Sequence, residues 1–386
     1  MIYRFFIPFF VVCIACTPSE PATSKKEKKD SIPVVSEALA VALPAVNDSL
    51  DQLAAYIAGS DTTGNFSSGV FMKTYLGFCN KFESRWTTFQ KERVAPLKQF
   101  ANQQLDSLLP ASKTIFYPFS GPDILYPLLF FPNRERYVLV GLEPVGSLPD
   151  FHEDSVVVYY DQLYNSLNAI LQFSFFRTES MQEDLHNEDL DGTIHVLLLF
   201  LKRMDHKIVS IQRFGIDTAG QKTLTSIQSP PLETPVQGLK IEFTGANNQL
   251  QTLEYISANI ADYSLNAKKG LKNYLNAIEH PITYLKGASY LLHKPTFKTM
   301  RELIVSHSDA VVEDDSGVPV KYFMNPEWTL RLFGSYSKPI SMFAKHYQAD
   351  LDSLYQTRGA LNLKFGLGYN YKDKNSNFLV ARRNKP

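Results

Sequence analysis

Two stretches of the chain pair acidic residues with turn-forming ones at a spacing that chemistry can use. The first is Tyr117-Pro118-Phe119-Ser120-Gly121-Pro122-Asp123, with Glu143 following 22 residues after Gly121 and directly behind the apolar run YVLVGL. A glycine-bearing turn between a strand and a helix presents backbone N–H groups and the positive end of the helix dipole to a ligand. A carboxylate ~20 residues further on, at the end of the next strand, is placed to accept a sugar hydroxyl. Ser120, Gly121, Asp123 and Glu143 are therefore candidate ligand-binding or catalytic residues. The same turn also has a purely structural reading. Ser120 as N-cap, Pro122 as first helical residue and Asp123 behind them start a helix without any ligand.

The second stretch is Glu313-Asp314-Asp315-Ser316-Gly317. Adjacent carboxylates beside an apolar run could hold a metal or act as a general base, which makes Asp314 and Asp315 secondary candidates. An Asp-Ser-Gly turn closing a hairpin is the plainer alternative. Lys286 lies in TYLKGASYLLH, with His293 seven residues on. A lysine among Gly, Ala and Leu is either a desolvated amine with a shifted pKa or a surface side chain laying its stem on apolar neighbours. The acidic run EDLHNEDLDG lacks EF-hand spacing and reads as a solvated loop. The eight histidines are scattered, and H-E-x-x-H, G-x-S-x-G, P-loop and C-x-x-C patterns are absent. No metal site is assigned, and the cofactor is left unknown.

These residues are positioned by elements of α/β type. TIFYPFSG reads as a strand, PDILYPLLFF as a helix bent at Pro127, and YVLVGL as a buried strand. Strand, helix and strand in so short a span make a βαβ unit and imply a parallel sheet covered by helices. With its glycine turn and its acid after the second strand, the arrangement resembles the Rossmann-like methyltransferase class, although it carries one glycine where such loops carry two or three. Residues 35–112 read as a helical section, with Leu50, Leu53, Ala54 and Ile57 on one face and an interruption expected at Pro96. Helices are expected at residues 160–176 and 193–204. KIVSIQRFGID, GLKIEF and TLEYISANI read as strands, the last two joined by the hairpin turn TGANNQLQ. SPPLETP is the best internal boundary. TYLKGASYLLH reads as helix, and LNLKFGLGYNY as a half-buried strand returning through FLVARR.

The first residues point to export. Arg4 precedes an eleven-residue apolar run, Phe5 to Ala15, far short of the ~20 residues a helix needs to cross a bilayer. Cys13-Ile14-Ala15-Cys16 resembles the lipobox of bacterial lipoproteins, with Cys13 where leucine is usual. The resemblance implies cleavage before Cys16 and acylation of that cysteine. Thr17 stands where inner-membrane retention would call for Asp, so the outer membrane is favoured and the leaflet stays open. Residues 17–31 are polar and rich in Lys and Pro, as a tether is. Once Cys13 leaves and Cys16 is acylated, Cys79 has no partner for an intrachain disulfide.

Lys+Arg 39 balance Asp+Glu 39, which gives no support for a nucleic-acid partner. YPFSGPD, FFPNRERYVLVGLEPVG and EDDSGVP together resemble a family of bacterial proteins of unknown function, over roughly residues 50–382. That resemblance implies no activity. The expected organisation is a signal peptide at 1–15, a lipidated flexible linker at 16–34, a helical section at 35–112, a Rossmann-like α/β core at 113–260, and a strand-bearing α+β extension at 261–386. The expected function is a membrane-anchored envelope lipoprotein that binds a small molecule or an envelope protein. The alternative is a Rossmann-like transferase or hydrolase with its site at Ser120–Asp123 and Glu143.

Overall fold

Short strands whose side chains are apolar on both faces form the centre of one mixed sheet. The computed structural model describes residues 45–61, 70–151, 156–173, 191–245, 247–368 and 376–384. The leader, Cys16 and the linker lie outside these residues, as do most of the acidic run EDLHNEDLDG and the Tyr369–Tyr371 end of the expected last hairpin.

Ten strands pair into the sheet: β1 (Thr114–Tyr117), β2 (Arg136–Gly141), β3 (Lys207–Ile216), β4 (Lys222–Ser226), β5 (Val236–Thr244), β6 (Leu250–Ser257), β7 (Ile282–Leu285), β8 (Ala310–Glu313), β9 (Trp328–Phe333) and β10 (Phe378–Arg383). Their order is β4-β3-β5-β6-β2-β1-β7-β8-β10-β9. β6, β2, β1, β7 and β8 run parallel, and antiparallel strands flank this block on both sides. Alternation sends Ile115, Tyr117, Tyr137 and Leu139 into one core and Phe116, Val138 and Val140 into the other. A sheet buried on both faces needs helices on both.

The first face is covered by α1 (Asp48–Ile57), α2 (Val70–Phe89), α3 (Ala95–Phe100), α4 (Leu125–Phe130), α5 (Val156–Phe173) and α6 (Ile194–Arg203). The second is covered by α7 (Asp262–Ala267), α8 (Lys269–Asn276), α9 (Lys298–His307) and α10 (Ala349–Thr357). The chain leaves β1 through α4 to β2, and through α5 and α6 on the same face toward β6. It then returns through α7 and α8 on the other face to β7, on the opposite side of β1. The direction of winding therefore reverses between β1 and β7.

Several expectations are corrected here. Pro96 does not interrupt the helical section. Residues Gln90–Val94 and Ala101–Leu105 widen to π-helix on either side of α3, so the backbone absorbs the missing N–H without breaking. The first three residues of TYLKGASYLLH belong, with Ile282, to strand β7, all four of whose residues are buried, and a 3₁₀ turn follows at Ala288–His293. SPPLETP links β4 and β5 within one sheet, and residues 43–386 form a single unit. Among the described residues LNLKFGLG pairs through one bridge, Phe333 to Leu361, while Leu363, Phe365 and Leu367 pack into the first core. Strand β10 instead lies between β8 and β9. The parallel block also crosses the division placed at residue 260, because β7 and β8 complete it.

Candidate functional site

The carboxyl ends of the five parallel strands gather every sequence-proposed residue of the folded part at one sheet edge. After β1 the backbone enters a left-handed stretch, with φ +62° at Phe119 and +52° at Gly121. Glycine adopts such a conformation freely. A phenylalanine held there stores about 1–3 kcal/mol of strain, of a kind concentrated at functional sites. Ser120 ties this turn to β2, since its N–H and its hydroxyl both donate to the Val140 carbonyl, at 2.9 and 3.1 Å. Ser120 is thus a buried brace rather than the N-cap of α4. The capping is done by Asp123, whose Oδ1 accepts the Tyr126 N–H at 3.2 Å.

β2 ends in Gly141, and Leu142 and Glu143 follow it. A Cβ on Gly141 would stand 2.5 Å from Tyr255 Oη and 2.8 Å from Gly121 Cα, so only glycine lets the two turns meet. The Glu143 carboxyl lies beside Gly121, whose imagined Cβ would be 3.5 Å from Oε2. Tyr255, on β6, shares its hydroxyl proton between the Glu143 carbonyl at 2.9 Å and Oε2 at 3.3 Å. Glu143 is 1% exposed. Burial pushes its pKa above the usual carboxylate range, against the opposing pull of its own N–H, the Tyr255 hydroxyl and the Leu142 N–H. No cation among the described residues pairs with it.

A cavity of about 210 Å³ opens directly over this carboxyl. Gly121, Gly141 and Glu143 line it, together with Phe119 and Leu142 from the same two turns. Asn259 and Ile260, just past β6, and Leu291 and Phe297, from the segment after β7, complete the lining. The lining is mostly apolar with one ionisable group at its base, as small-molecule sites are. Leu142 is half exposed at the mouth.

Asp123 does not line this cavity. Its Oδ2 accepts the Tyr117 hydroxyl at 3.2 Å and pairs with Lys286 Nζ at 2.8 Å, both side chains being buried. The Lys286 amine also lies over the Tyr126 ring, 3.5 Å from its centroid. Burial lowers its pKa, while Asp123 and then Asp314 oppose the shift.

Asp314 and Asp315 follow β8 at the same edge, but they are locked in structure. Asp314 Oδ2 accepts the Gly287 N–H at 2.9 Å, and Oδ1 accepts the Ser316 N–H at 2.9 Å. Asp315 accepts the Tyr290 hydroxyl at 2.5 Å and the Asn377 amide at 2.7 Å. Burial, and then the neighbouring Asp314 charge, push Asp315 up to about 6. The space beside the two carboxyls admits nothing as large as water. The edge thus holds two arrangements. Gly121 and Glu143 line an open cavity, and the Asp123–Lys286 pair is buried away from it.

The sequence did not single out Tyr255, Asn259 or Ile260. The signal available was their position at the end of TLEYISANI, a third strand whose carboxyl end falls on the same edge. Among the described residues, no group of three His, Cys, Asp or Glu could hold a metal ion, and no helix is long and apolar enough to cross a membrane. Comparison with protein-family models, curated proteins and solved structures finds no match to this chain.

Proposed function

We propose that this chain is an exported lipoprotein, anchored through lipid on Cys16, whose α/β unit binds a small hydroxylated molecule in the cavity above Glu143. One observation carries the binding half of this reading. Glu143 is an almost fully buried carboxyl with no cation beside it, and it lies at the base of an open, mostly apolar cavity. A buried carboxylate without a cationic partner is destabilising, and one that faces space can be relieved by a ligand donating hydroxyl protons. Phe119, in its strained conformation, and Gly141, with its close contacts, both line this cavity. The anchor rests on the Cys13–Cys16 resemblance and the polar tether behind it.

The test is a melting-temperature screen of the full chain against neutral sugars, nucleosides and polyols. A binder should raise the melting temperature of the wild type and leave Glu143→Gln unmoved. Compounds that stabilise both proteins equally, or a screen without any binder, would count against the cavity.

An enzyme with a Rossmann-like core is the second reading. It is favoured by the strand order, which reads third, second, first, fourth, fifth across β6, β2, β1, β7 and β8, as in doubly wound nucleotide-binding sheets. That support is an analogy of fold, and chemistry must be argued from the site. The crevice between β1 and β7, across which such sheets bind a dinucleotide, is taken here by the buried Asp123–Lys286 pair. This weighs toward binding.

A further inference from the structure

We infer that the cavity selects an unphosphorylated ligand, a ring bearing a vicinal diol such as a nucleoside, and rejects the corresponding nucleotide. The inference rests on the reading of the cavity as a ligand site and goes beyond it to the ligand's charge and size.

The first argument is electrostatic. Among the described residues, the lining holds one ionisable side chain, and it is the acid Glu143. A phosphate in the same cavity would meet that carboxylate without an intervening cation. Like charges at short range under low dielectric repel strongly, so the site is selective by repulsion as well as by fit.

The second argument concerns the cation that could have helped. Lys286 stands at the same sheet edge, but Asp123 holds its amine at 2.8 Å, its side chain is buried, and it does not line the cavity. Phosphate sites of the glycine-loop type rely instead on several backbone N–H groups at a helix N-terminus. Here the turn has one glycine, and Asp123 Oδ1 accepts the Tyr126 N–H at the start of α4. A carboxylate therefore already occupies the position an anion would take.

The third argument is size and shape. At about 210 Å³ the cavity falls below the ~300–1,000 Å³ of sites for drug-sized ligands, too small to enclose a whole dinucleotide. Phe119, Leu142, Ile260 and Phe297 supply apolar faces for a ring. Glu143, whose two oxygens can accept two hydroxyl protons, supplies the match for a diol.

The test is calorimetric titration of the full chain in detergent with the four common ribonucleosides, their 5′-monophosphates and their 2′,3′-dideoxy counterparts. At least one ribonucleoside should bind, and its monophosphate and dideoxy forms should each bind about tenfold more weakly or worse. In Glu143→Gln the nucleoside should weaken by about tenfold, and the gap between nucleoside and monophosphate should shrink, because the repelling charge is gone. A monophosphate that binds the wild type as tightly as its nucleoside would overturn the inference while leaving the cavity a ligand site. Binding by none of the panel would also overturn it, and the melting screen with sugars and polyols then decides the broader reading separately.

Discussion

The Lys286 amine lies 2.8 Å from the Asp123 carboxylate, and this ion pair joins the end of β7 to the turn after β1 with both side chains buried. It sits where the winding of the sheet reverses, and Asp314 closes it from β8 through the Gly287 N–H. Removing one partner of a buried pair leaves the other charge without compensation, at about 3–5 kcal/mol. Lys286→Met should therefore lose about that much stability in urea unfolding. The double variant Asp123→Asn with Lys286→Met should recover part of the loss. A single variant that unfolds like the wild type would show that the pair does not bind the two halves of the sheet together.

Glu143 predicts a pH signature. Its folded-state pKa is raised above the ordinary 4.5, because burial disfavours the charged form. Folding therefore favours the protonated acid. The stability this contributes is fully present below 4.5 and is lost as pH rises through the raised value. Glu143→Gln, which stays neutral, should be more stable than the wild type at neutral pH, and this advantage should fade as the pH is taken below 4.5. Thermal melts of both proteins across that range check this. An advantage that is constant with pH would mean that the carboxyl is already neutralised by some other group.

Gly141 is the point where three chain segments touch. An added methyl would fall 2.6 Å from Glu143 Oε2 and 2.8 Å from the Gly121 backbone. Gly141→Ala should lose about 1–3 kcal/mol by overpacking, and any ligand found for the wild type should bind the variant more weakly, because the carboxyl must shift. Unchanged stability in denaturant titration would mean that the turns have slack that this contact excludes.

The central elements were legible because their signals are local. TIFY and YVLVG are short apolar runs with β-branched residues, and both became parallel strands. Their carboxyl ends carried Gly121 and Glu143 to one edge, as the βαβ pattern implied. What was hidden depends on distant partners. TYL reads as helix because the apolar residues of TYLKGASYLLH also fit a helical spacing. Pairing with β8 and with β1, whose partner residues lie 167 positions away in sequence and so are invisible in any window, makes it β7. The alternation of LNLKFGLG was real, but it served packing into the first core rather than a ladder. Asp314 and Asp315 had no readable fate, since Tyr290 and Asn377, which hold Asp315, lie far away in sequence.

The anchor has its own test. Cys16→Ala should leave the chain unprocessed or in the soluble fraction, because among the described residues no helix can cross a membrane and a lipid on Cys16 is the proposed hold. Membrane fractionation at high salt, with the precursor and mature forms resolved by mass, is the measurement. A variant that is cleaved normally and still sediments with membranes would contradict lipidation at this cysteine.

The binding of a hydroxylated ligand over Glu143 is tested most directly by a crystal structure of the chain grown with the tightest compound from the melting screen. The prediction is ligand density between Leu142, Ile260 and Phe297, with two hydroxyls within hydrogen-bond distance of the Glu143 carboxyl. Density for that compound elsewhere on the molecule, with the space above Glu143 unfilled, would contradict it.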